Sequence, residues 1–343
     1  MLGTEQLRHF CNKLWVYFVD KHLLGEPAMI LLGVLALIGA EALFRDWEKT
    51  AMYRLFFRRS MSARIDSIYF LVQTAGIAAL LEIVFSFGIA LGGSRLADYA
   101  SNQLSWARVT LPADGILQIL FSFVVYWVAT GLFGYWIHRL YHAPIFWQVH
   151  RFHHAAPELN FITAYRLHPL ESFLRAFEFM SPMVFLRIPD SILLVAVIAG
   201  NFVNFCQHSE LPWDWGWIGR WLFGSPLVHQ VHHSIDEEHR DTNFSNCPLW
   251  DHVFGTWYDG SKKPTGYGIA DPVYDRQPFR QFLRDGWTVY VKLAGLLVSP
   301  FRKLVSTTPN QALAETEGSR AVSSRSAKGV PARAASLVRT DPA

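Results

Sequence analysis

Residues 135–154 read YWIHRLYHAPIFWQVHRFHH, and five of these twenty residues are histidines. His138 and His142 are four residues apart, so a helix places them on one face. Pro144 predicts that this helix ends before the next one begins. The second helix carries three more histidines at positions i, i+3 and i+4, again on one face: His150, His153 and His154.

The same spacing returns in HQVHH, and one more histidine stands in NFVNFCQHSEL; these residues are His229, His232, His233 and His208. Imidazole is a ligand suited to iron, zinc, copper and nickel. A zinc ion normally takes three or four protein ligands, so nine histidines are too many for one zinc. Two six-coordinate metals offer about twelve positions and leave a few for water or O2. A di-iron site therefore fits the count best.

The composition indicates a membrane protein. Of 343 residues, 51% are hydrophobic and 17% are charged, against about 25% charged in an average soluble domain. The net charge of +3 gives no support to a nucleic-acid-binding face. The three cysteines are too few and too scattered for a disulfide framework, an iron–sulfur cluster or a zinc ribbon, so cysteine does not hold the metal.

Three apolar runs, residues 28–44, 68–91 and 116–137, are each long enough to cross a hydrocarbon core of about 30 Å. A fourth apolar region, residues 173–205, is interrupted at residues 187–190 by Arg-Ile-Pro-Asp. Neither of its arms reaches the roughly 20 residues needed to span, which predicts a hairpin that enters and leaves on one side. The sequence thus predicts an all-α fold, a multi-pass membrane helical bundle with a cytosolic helical cap that carries the histidine clusters.

The basic residues of the loops predict the orientation. The loop between the first two runs contains six basic residues, whereas the loop between the second and third contains two. The positive-inside rule places the first of these loops in the cytosol. The third run then returns to the cytosol, where we expect the active site and the C-terminus. The expected location is the inner membrane if the protein is bacterial and the endoplasmic reticulum if it is eukaryotic.

The chain divides into three predicted regions. Residues 1–115 form an N-terminal membrane region with two transmembrane helices. Residues 116–302 form the metal-binding domain, with the third transmembrane helix, the hairpin and the histidine cap. Residues 303–343 are rich in Ser, Ala, Thr, Pro and Arg without apolar periodicity, which predicts a disordered tail.

Other polar residues near the clusters are candidates for supporting roles. Metal-bound imidazoles usually donate their second N–H to a carboxylate or carbonyl, and the candidate partners are Asp241, Asn243 and Asp251. His168 precedes Pro169 and stands near Glu171, so a supporting or helix-entry role is favoured over direct ligation. His239 lies in an acidic stretch and is predicted to be solvated.

The chain resembles the fatty acid hydroxylase and sterol desaturase superfamily of integral-membrane, non-haem di-iron oxygenases over residues 126–269. The resemblance rests on YWIHRLYH, WQVHRFHHAAPELNFITAYRLHPLE, QHSEL and HQVHHSIDEEHRDTNFSNCPLWDHVFGTWYDG. It implies a lipid oxidoreductase that uses two iron ions and O2 to hydroxylate or desaturate a sterol, fatty acyl or other isoprenoid or alkyl lipid. By matching motif positions, the metal ligands fall on His138, His142, His150, His153, His154, His208, His229, His232 and His233.

Two positions depart from the motifs of that superfamily. Some members have a further histidine four residues before the equivalent of His208, and this chain has Asn204 there, which could act only through a water. In the segment often written WDRLFGT, His252 replaces the basic residue and is expected not to be a ligand.

The electrons for such a reaction must come from outside the chain. The sequence has no GxGxxG after a strand, no cysteine cluster and no appended haem domain. The expected partner is a ferredoxin or a b-type cytochrome with its NAD(P)H reductase. Two alternatives stay open. The first is a zinc-dependent membrane hydrolase, which would be favoured by a glutamate in an HExxH-type motif; the histidine clusters contain none. The second is a non-catalytic membrane metal-binding protein, which would be favoured by ligands inside the membrane runs, whereas the clusters follow the third run or the hairpin.

Overall fold

The computed structural model describes residues 26–86, 99, 102–103, 108–270 and 273–306. Within them the chain is mostly helical, as the all-α prediction expects. The helices are α1 (Glu26–Phe44), α2 (Met61–Thr74), α3 (Ile77–Phe85), α4 (Ile116–Tyr141), α5 (Trp147–His154), α6 (Pro169–Phe185), α7 (Asp190–His208), α8 (Gly216–Trp221), α9 (Pro226–His232), α10 (Leu249–Phe254), α11 (Val273–Arg276) and α12 (Pro278–Ser306).

Shorter elements connect these helices. Between α1 and α2 lie a 3-10 turn, a helical turn and a π turn: Trp47–Lys49, Ala51–Tyr53 and Arg54–Arg58. Two further 3-10 turns are Phe161–Tyr165 and Glu237–His239. Strands β1 (Val109–Thr110) and β2 (Leu186–Arg187) pair in parallel, with Val109 opposite Leu186. This small pair joins the segment before α4 to the link between α6 and α7.

Two of the described helices, α4 and α7, are long and apolar enough to cross a membrane. The N-terminal half of α4 exposes large apolar side chains, among them Leu117, which is 78% exposed, and Phe121. Such a surface is stable against lipid and costly against water. Residues 28–44 lie within α1 and residues 116–137 within α4, so these two runs are helical as predicted.

The second apolar run is not one helix, contrary to the expectation for residues 68–91. Gly76 adopts a left-handed conformation with φ of 72° and separates α2 from α3. Glycine ends helices in this way because it has no Cβ to clash in the left-handed region. In addition, α2 begins at Met61, before the apolar run. The described part of this run is therefore divided between two shorter helices.

The interrupted apolar region forms two helices, α6 and α7, as predicted, but both arms are longer than their apolar residues alone suggest. The helix α7 has 19 residues because polar residues near its end, including Asn204 and Gln207, continue the helix up to His208. The expectation that neither arm is long enough to span is thus wrong for α7. The polar extension carries a histidine toward the other clusters.

Two glycines let other elements approach α4 closely. A Cβ at Gly131 would lie 2.5 Å from Cβ of Cys247, and a Cβ at Gly134 would lie 2.7 Å from Oε1 of Glu178. Gly131 therefore needs a residue without a side chain, whereas at Gly134 the neighbouring atoms are the flexible end of the Glu178 side chain, which can move. Because α4 supplies the first two histidines and α6 borders them, this close packing positions one side of the site.

A buried ion pair connects α2 to the segment before α6. Arg166 donates from Nε to Oδ1 of Asp66 over 2.7 Å, and its Nη2 donates to the carbonyl and hydroxyl oxygens of Ser62. Asn160 and Thr163 donate to the other carboxylate oxygen, over 2.8 and 2.9 Å. Buried charges are stable only when they are satisfied in this way. The network fixes the chain two residues before His168.

The predicted regions extend beyond the residues that the structure describes. Residues 1–25 and 307–343 lie outside them, so most of the predicted tail stays a prediction; its first residues, 303–306, belong to α12. The chain divides into two units after Tyr290. All nine clustered histidines lie in the first unit.

Candidate metal centre

Four helices present the nine histidines. His138 lies in the last turn of α4 and His142 is its C-cap residue, so the helix ends before Pro144 as predicted. His208 ends α7. The other six lie on α5 and at the end of α9, which begins with Ser225 as N-cap and Pro226 in its first turn. Both residue types favour a helix start at these positions.

The structure brings the nine histidines into two groups, in each of which the candidate ligand atoms all lie within 4.8 Å of one another. The first histidine group consists of His138, His142, His150, His154 and His232. The second histidine group consists of His153, His208, His229 and His233. All four histidines of the second group are buried, as are His150, His154 and His232 of the first, whereas His138 and His142 are half-buried, so water is excluded more completely from the second group than from the first.

Each HxxHH segment contributes to both groups. On α5, the i and i+4 residues His150 and His154 belong to the first group, whereas His153 belongs to the second. On α9 the assignment is reversed, because His229 and His233 belong to the second group and His232 to the first. The groups adjoin: the ring centroids of His154 and His233 are 4.5 Å apart.

Backbone carbonyls fix the tautomer of three imidazoles. Nδ1 of His138 donates to the Phe244 carbonyl over 2.6 Å, and Nδ1 of His232 donates to the Thr242 carbonyl over 2.8 Å. Nδ1 of His208 donates to the carbonyl of Asn204 over 2.8 Å. A carbonyl oxygen can only accept, so the proton is on Nδ1 and each Nε2 presents a lone pair to its group.

Two imidazole nitrogens of the first group are buried without a partner. Nε2 of His142 and Nε2 of His232 form no hydrogen bond, although nearly all buried polar atoms in proteins have one. Burial also lowers the pKa of His232 to about 3, with the neighbouring His142 as a further cause. Neutral, inward-facing imidazoles are the form that binds transition metals, so the residues fit a metal ion here.

One short loop orients three histidines of the first group. Asp241 accepts from Nδ1 of His142 at 3.1 Å, and the carbonyls of Thr242 and Phe244 are the acceptors for His232 and His138. Asp241 and Asn243 have φ of 58° and 54°, in the left-handed region. Asp and Asn tolerate this conformation better than other residues with a side chain, and such backbone strain is often found at functional sites.

The other predicted partners act on this loop or on backbone atoms. Asp251 accepts from the backbone N–H groups of Phe244 and Ser245, and the side chain of Asn243 bonds the backbone of Val228 and Tyr258. Neither side chain contacts a clustered imidazole. Asn204 supports His208 through its carbonyl rather than through its side chain.

Glu171 supports His150, a role that was not predicted from the sequence. Its Oε1 lies 3.0 Å from Nδ1 of His150, and both residues are buried. His168 caps α6, the helix that carries Glu171, because Nδ1 of His168 accepts a hydrogen bond from the N–H of Leu170. This agrees with the helix-entry role predicted for His168. The sequence signal that could have pointed to Glu171 was its position three residues after His168, at the start of a predicted helix.

Replacing Glu171 by leucine is expected to lower metal content or turnover about 10- to 100-fold, the usual effect of removing an outer partner of a metal-bound histidine. Glu171→Gln retains an acceptor and should lie between leucine and the natural residue. The measurement is iron per chain and turnover of purified protein, with the exposed Glu237→Gln as control. Equal values for Glu171→Leu and the natural protein would contradict the assignment.

Two histidines outside the groups have other surroundings. His239 is 1% exposed, with Nδ1 at 2.8 Å from the hydroxyl of Ser234 and its ring against Tyr258. The prediction that it is solvated is wrong, because Glu237 and Glu238 are exposed while the His239 ring packs inward, with the Asp236 carboxylate 3.6 Å from its Nδ1. His252 stacks between Trp221 and Trp257 and belongs to neither group.

A cavity of about 60 Å³ adjoins both groups. It is lined by His138 and His150 of the first group and by three residues of the second, His153, His208 and His229. Its remaining walls come from α4, α6, α7, Leu167 and Asn246. A small molecule in this cavity would contact both groups at once.

The comparison with protein families agrees with this geometry. Residues 123–256 match the family model described as Fatty acid hydroxylase, and this range contains all nine clustered histidines, Glu171 and the orienting loop. No solved structure matches the chain. Residues 123–256 therefore form a fatty acid hydroxylase domain, and this domain family is that of the sterol desaturase and fatty acid hydroxylase superfamily.

Proposed function

We propose that this protein hydroxylates or desaturates a membrane lipid in an O2-dependent reaction at a pair of iron ions. The observation that carries the proposal is the pair of adjoining groups of five and four imidazoles beside one cavity, inside a fatty acid hydroxylase domain. A family of this kind implies an oxidoreductase. The histidine-only donor sets and the lipid substrate are the finer parts of the proposal.

Each group would hold one metal ion through the inward Nε2 atoms. When bound, the two irons supply the activation of O2 and the removal of hydrogen from an unactivated C–H bond. The chain itself orients the ligands: Phe244 and Thr242 carbonyls, Asp241 and Glu171 accept the Nδ1 protons of four imidazoles in the first group. Fixed ligands keep their geometry through the reaction.

The surroundings of the groups support a position for the substrate beside the cavity. Burial of the imidazoles excludes water, which would otherwise compete for open metal positions. The cavity borders α4 and α7, the two helices that could cross a membrane. A lipid reaching the cavity along these helices would place a carbon atom against both metals.

The topology and the electron donor follow from this proposal. The basic loop before α2 supports a cytosolic position for the histidine cap in a multi-pass chain. A ferredoxin or b-type cytochrome with its NAD(P)H reductase would then deliver electrons on the cytosolic side. The competing proposals are a zinc hydrolase and a non-catalytic metal-binding protein. Neither of these would incorporate oxygen from O2 into a lipid.

The test is to supply isotopically labelled O2 and a reduced donor to membranes that contain the protein. Hydroxylation should give a lipid product that carries the label, whereas desaturation should give a product that lacks two hydrogens. Membranes with His232→Ala serve as the matched negative control. The proposal would be contradicted if neither product were found among the extracted membrane lipids and if O2 uptake were equal in membranes with the natural protein and with His232→Ala.

A further inference from the structure

A stripe of three charged residues runs along one face of α6, an arm that is otherwise largely apolar. Glu171, Arg175 and Glu178 occupy positions i, i+4 and i+7 of this helix, which lie on one face. All three line the cavity beside the histidine groups. Charged side chains inside an apolar hairpin are costly unless they have a partner or a function.

Within the described part of the chain, only the first of these residues has a hydrogen-bond partner. Glu171 is engaged with His150. Among the residues that the structure describes, Arg175 and Glu178 form no hydrogen bond and no ion pair with another side chain or backbone atom, although Arg175 is close enough to act electrostatically on both glutamates. Glu178 instead lies against the backbone of α4 at Gly134. The guanidinium and the carboxylate are therefore available to a molecule in the cavity.

We propose that Arg175 and Glu178 bind a neutral polar group of the substrate lipid, one that accepts a hydrogen bond from Arg175 and donates one to Glu178. An alcohol or a secondary amide has this combination of donor and acceptor. A free carboxylate has no donor and would face two glutamates with one arginine, so the site disfavours a fatty acid. This inference rests on the proposed function and specifies the class of lipid.

The position of the pair also limits where the lipid is oxidised. Arg175 is one helical turn from Glu171, about 6 Å at 1.5 Å per residue, and Glu178 is about 10 Å away. Glu171 contacts His150, so a polar group held by the pair lies close to the first histidine group. Oxidation is then expected at carbons near the polar end of the lipid rather than far along its chain.

Binding to the iron-loaded protein in detergent, without a reductant, tests the inference separately from turnover. The probes are octadecanol, octadecane and stearate for a chain lipid, and cholesterol and cholestane for a sterol. The alcohol of at least one series should bind about tenfold more tightly than its hydrocarbon, the gain expected from two buried hydrogen bonds. Octadecanol should also bind more tightly than stearate.

Two variants identify the residues responsible. Arg175→Met should remove most of the preference for the alcohol. Glu178→Gln should raise the affinity for stearate about tenfold, because it removes one repelling charge. Iron content per chain should be unchanged in both. The controls are Arg220→Met and Glu237→Gln, exposed residues away from the cavity.

The inference is overturned if hydrocarbons bind as tightly as alcohols in both series, or if both variants retain their iron and bind all probes like the natural protein. An increase in stearate affinity cannot result from a loss of folding, so Glu178→Gln remains informative if Arg175→Met is unstable. A protein that discriminates between the probes but never consumes O2 would contradict the proposed function and leave this binding site intact.

Discussion

Replacing His150 or His232 by alanine is expected to abolish lipid oxidation while the protein still folds and inserts. Each residue belongs to the first histidine group, and each is held by an outer partner, Glu171 or the Thr242 carbonyl. Loss of an outer partner alone costs about 10- to 100-fold, so loss of the ligand should cost more than about 100-fold. Turnover of purified protein, normalised to the amount of folded chain, measures this.

His252→Ala is the matched control for these substitutions. His252 is a histidine of the same domain, but it stacks on two tryptophans and lies outside both groups. Its replacement should leave iron content and turnover close to those of the natural protein. If His150→Ala kept substantial activity, or if His252→Ala lost its iron, the assignment of the first group would be wrong.

Arg166→Met is expected to lower the free energy of unfolding by about 3–5 kcal/mol, because it leaves the buried carboxylate of Asp66 without its counter-charge. Arg166 is 1% exposed, Asp66 is fully buried, and the pair joins α2 to the segment that leads into α6. The measurement is denaturant unfolding in detergent. The effect on activity should follow the loss of folded protein.

Arg58→Met provides the comparison at the surface. Arg58 forms an ion pair with Glu158 at 3.1 Å, but its side chain is 62% exposed, and exposed pairs contribute about 1 kcal/mol or less. In addition, Asp66→Asn combined with Arg166→Met should destabilise the protein less than the sum of the two single changes. Additive effects would show that the two residues do not act as a pair.

The helical spacing of the histidines made much of the site predictable. Residues at i, i+3 and i+4 share a helix face whatever surrounds the helix, so eight of the nine histidines could be selected by their spacing before the fold was known. His208 has no such partner in the sequence and was selected from its place at the end of the hairpin. The sequence did not indicate how the histidines divide between the two groups. His153 and His154 are neighbours in the chain but belong to different groups, because their side chains point in directions about 100° apart on the helix.

The acceptors that orient the imidazoles were less predictable. Three of them are backbone carbonyls, of Asn204, Thr242 and Phe244, and every residue type has a carbonyl. Asp241 was a candidate because metal-bound imidazoles usually donate their second N–H to a carboxylate or carbonyl, although a loop-capping role was an equal alternative. Glu171 was adjacent to a noted histidine, yet its contact with His150 depends on how α6 packs beside α5.

The apolar segments show where composition misleads. The apolar run at residues 68–91 suggested one span, but a single left-handed glycine, Gly76, divides its described part. Conversely, α7 extends beyond its apolar residues because its polar end packs against other histidine-bearing elements. Hydropathy indicates whether a segment is more stable in lipid or in water, whereas the positions of helix ends depend on local backbone conformation and tertiary contacts.

Metal analysis of the purified protein, combined with O2 uptake, is the decisive measurement for the di-iron centre. We expect about two irons per chain, bound by the two histidine groups, and O2 consumption that depends on both a reduced donor and a lipid. His232→Ala should lose iron and this O2 consumption together. One zinc per chain, with no O2 consumption in the presence of a reduced donor, would contradict a di-iron oxygenase.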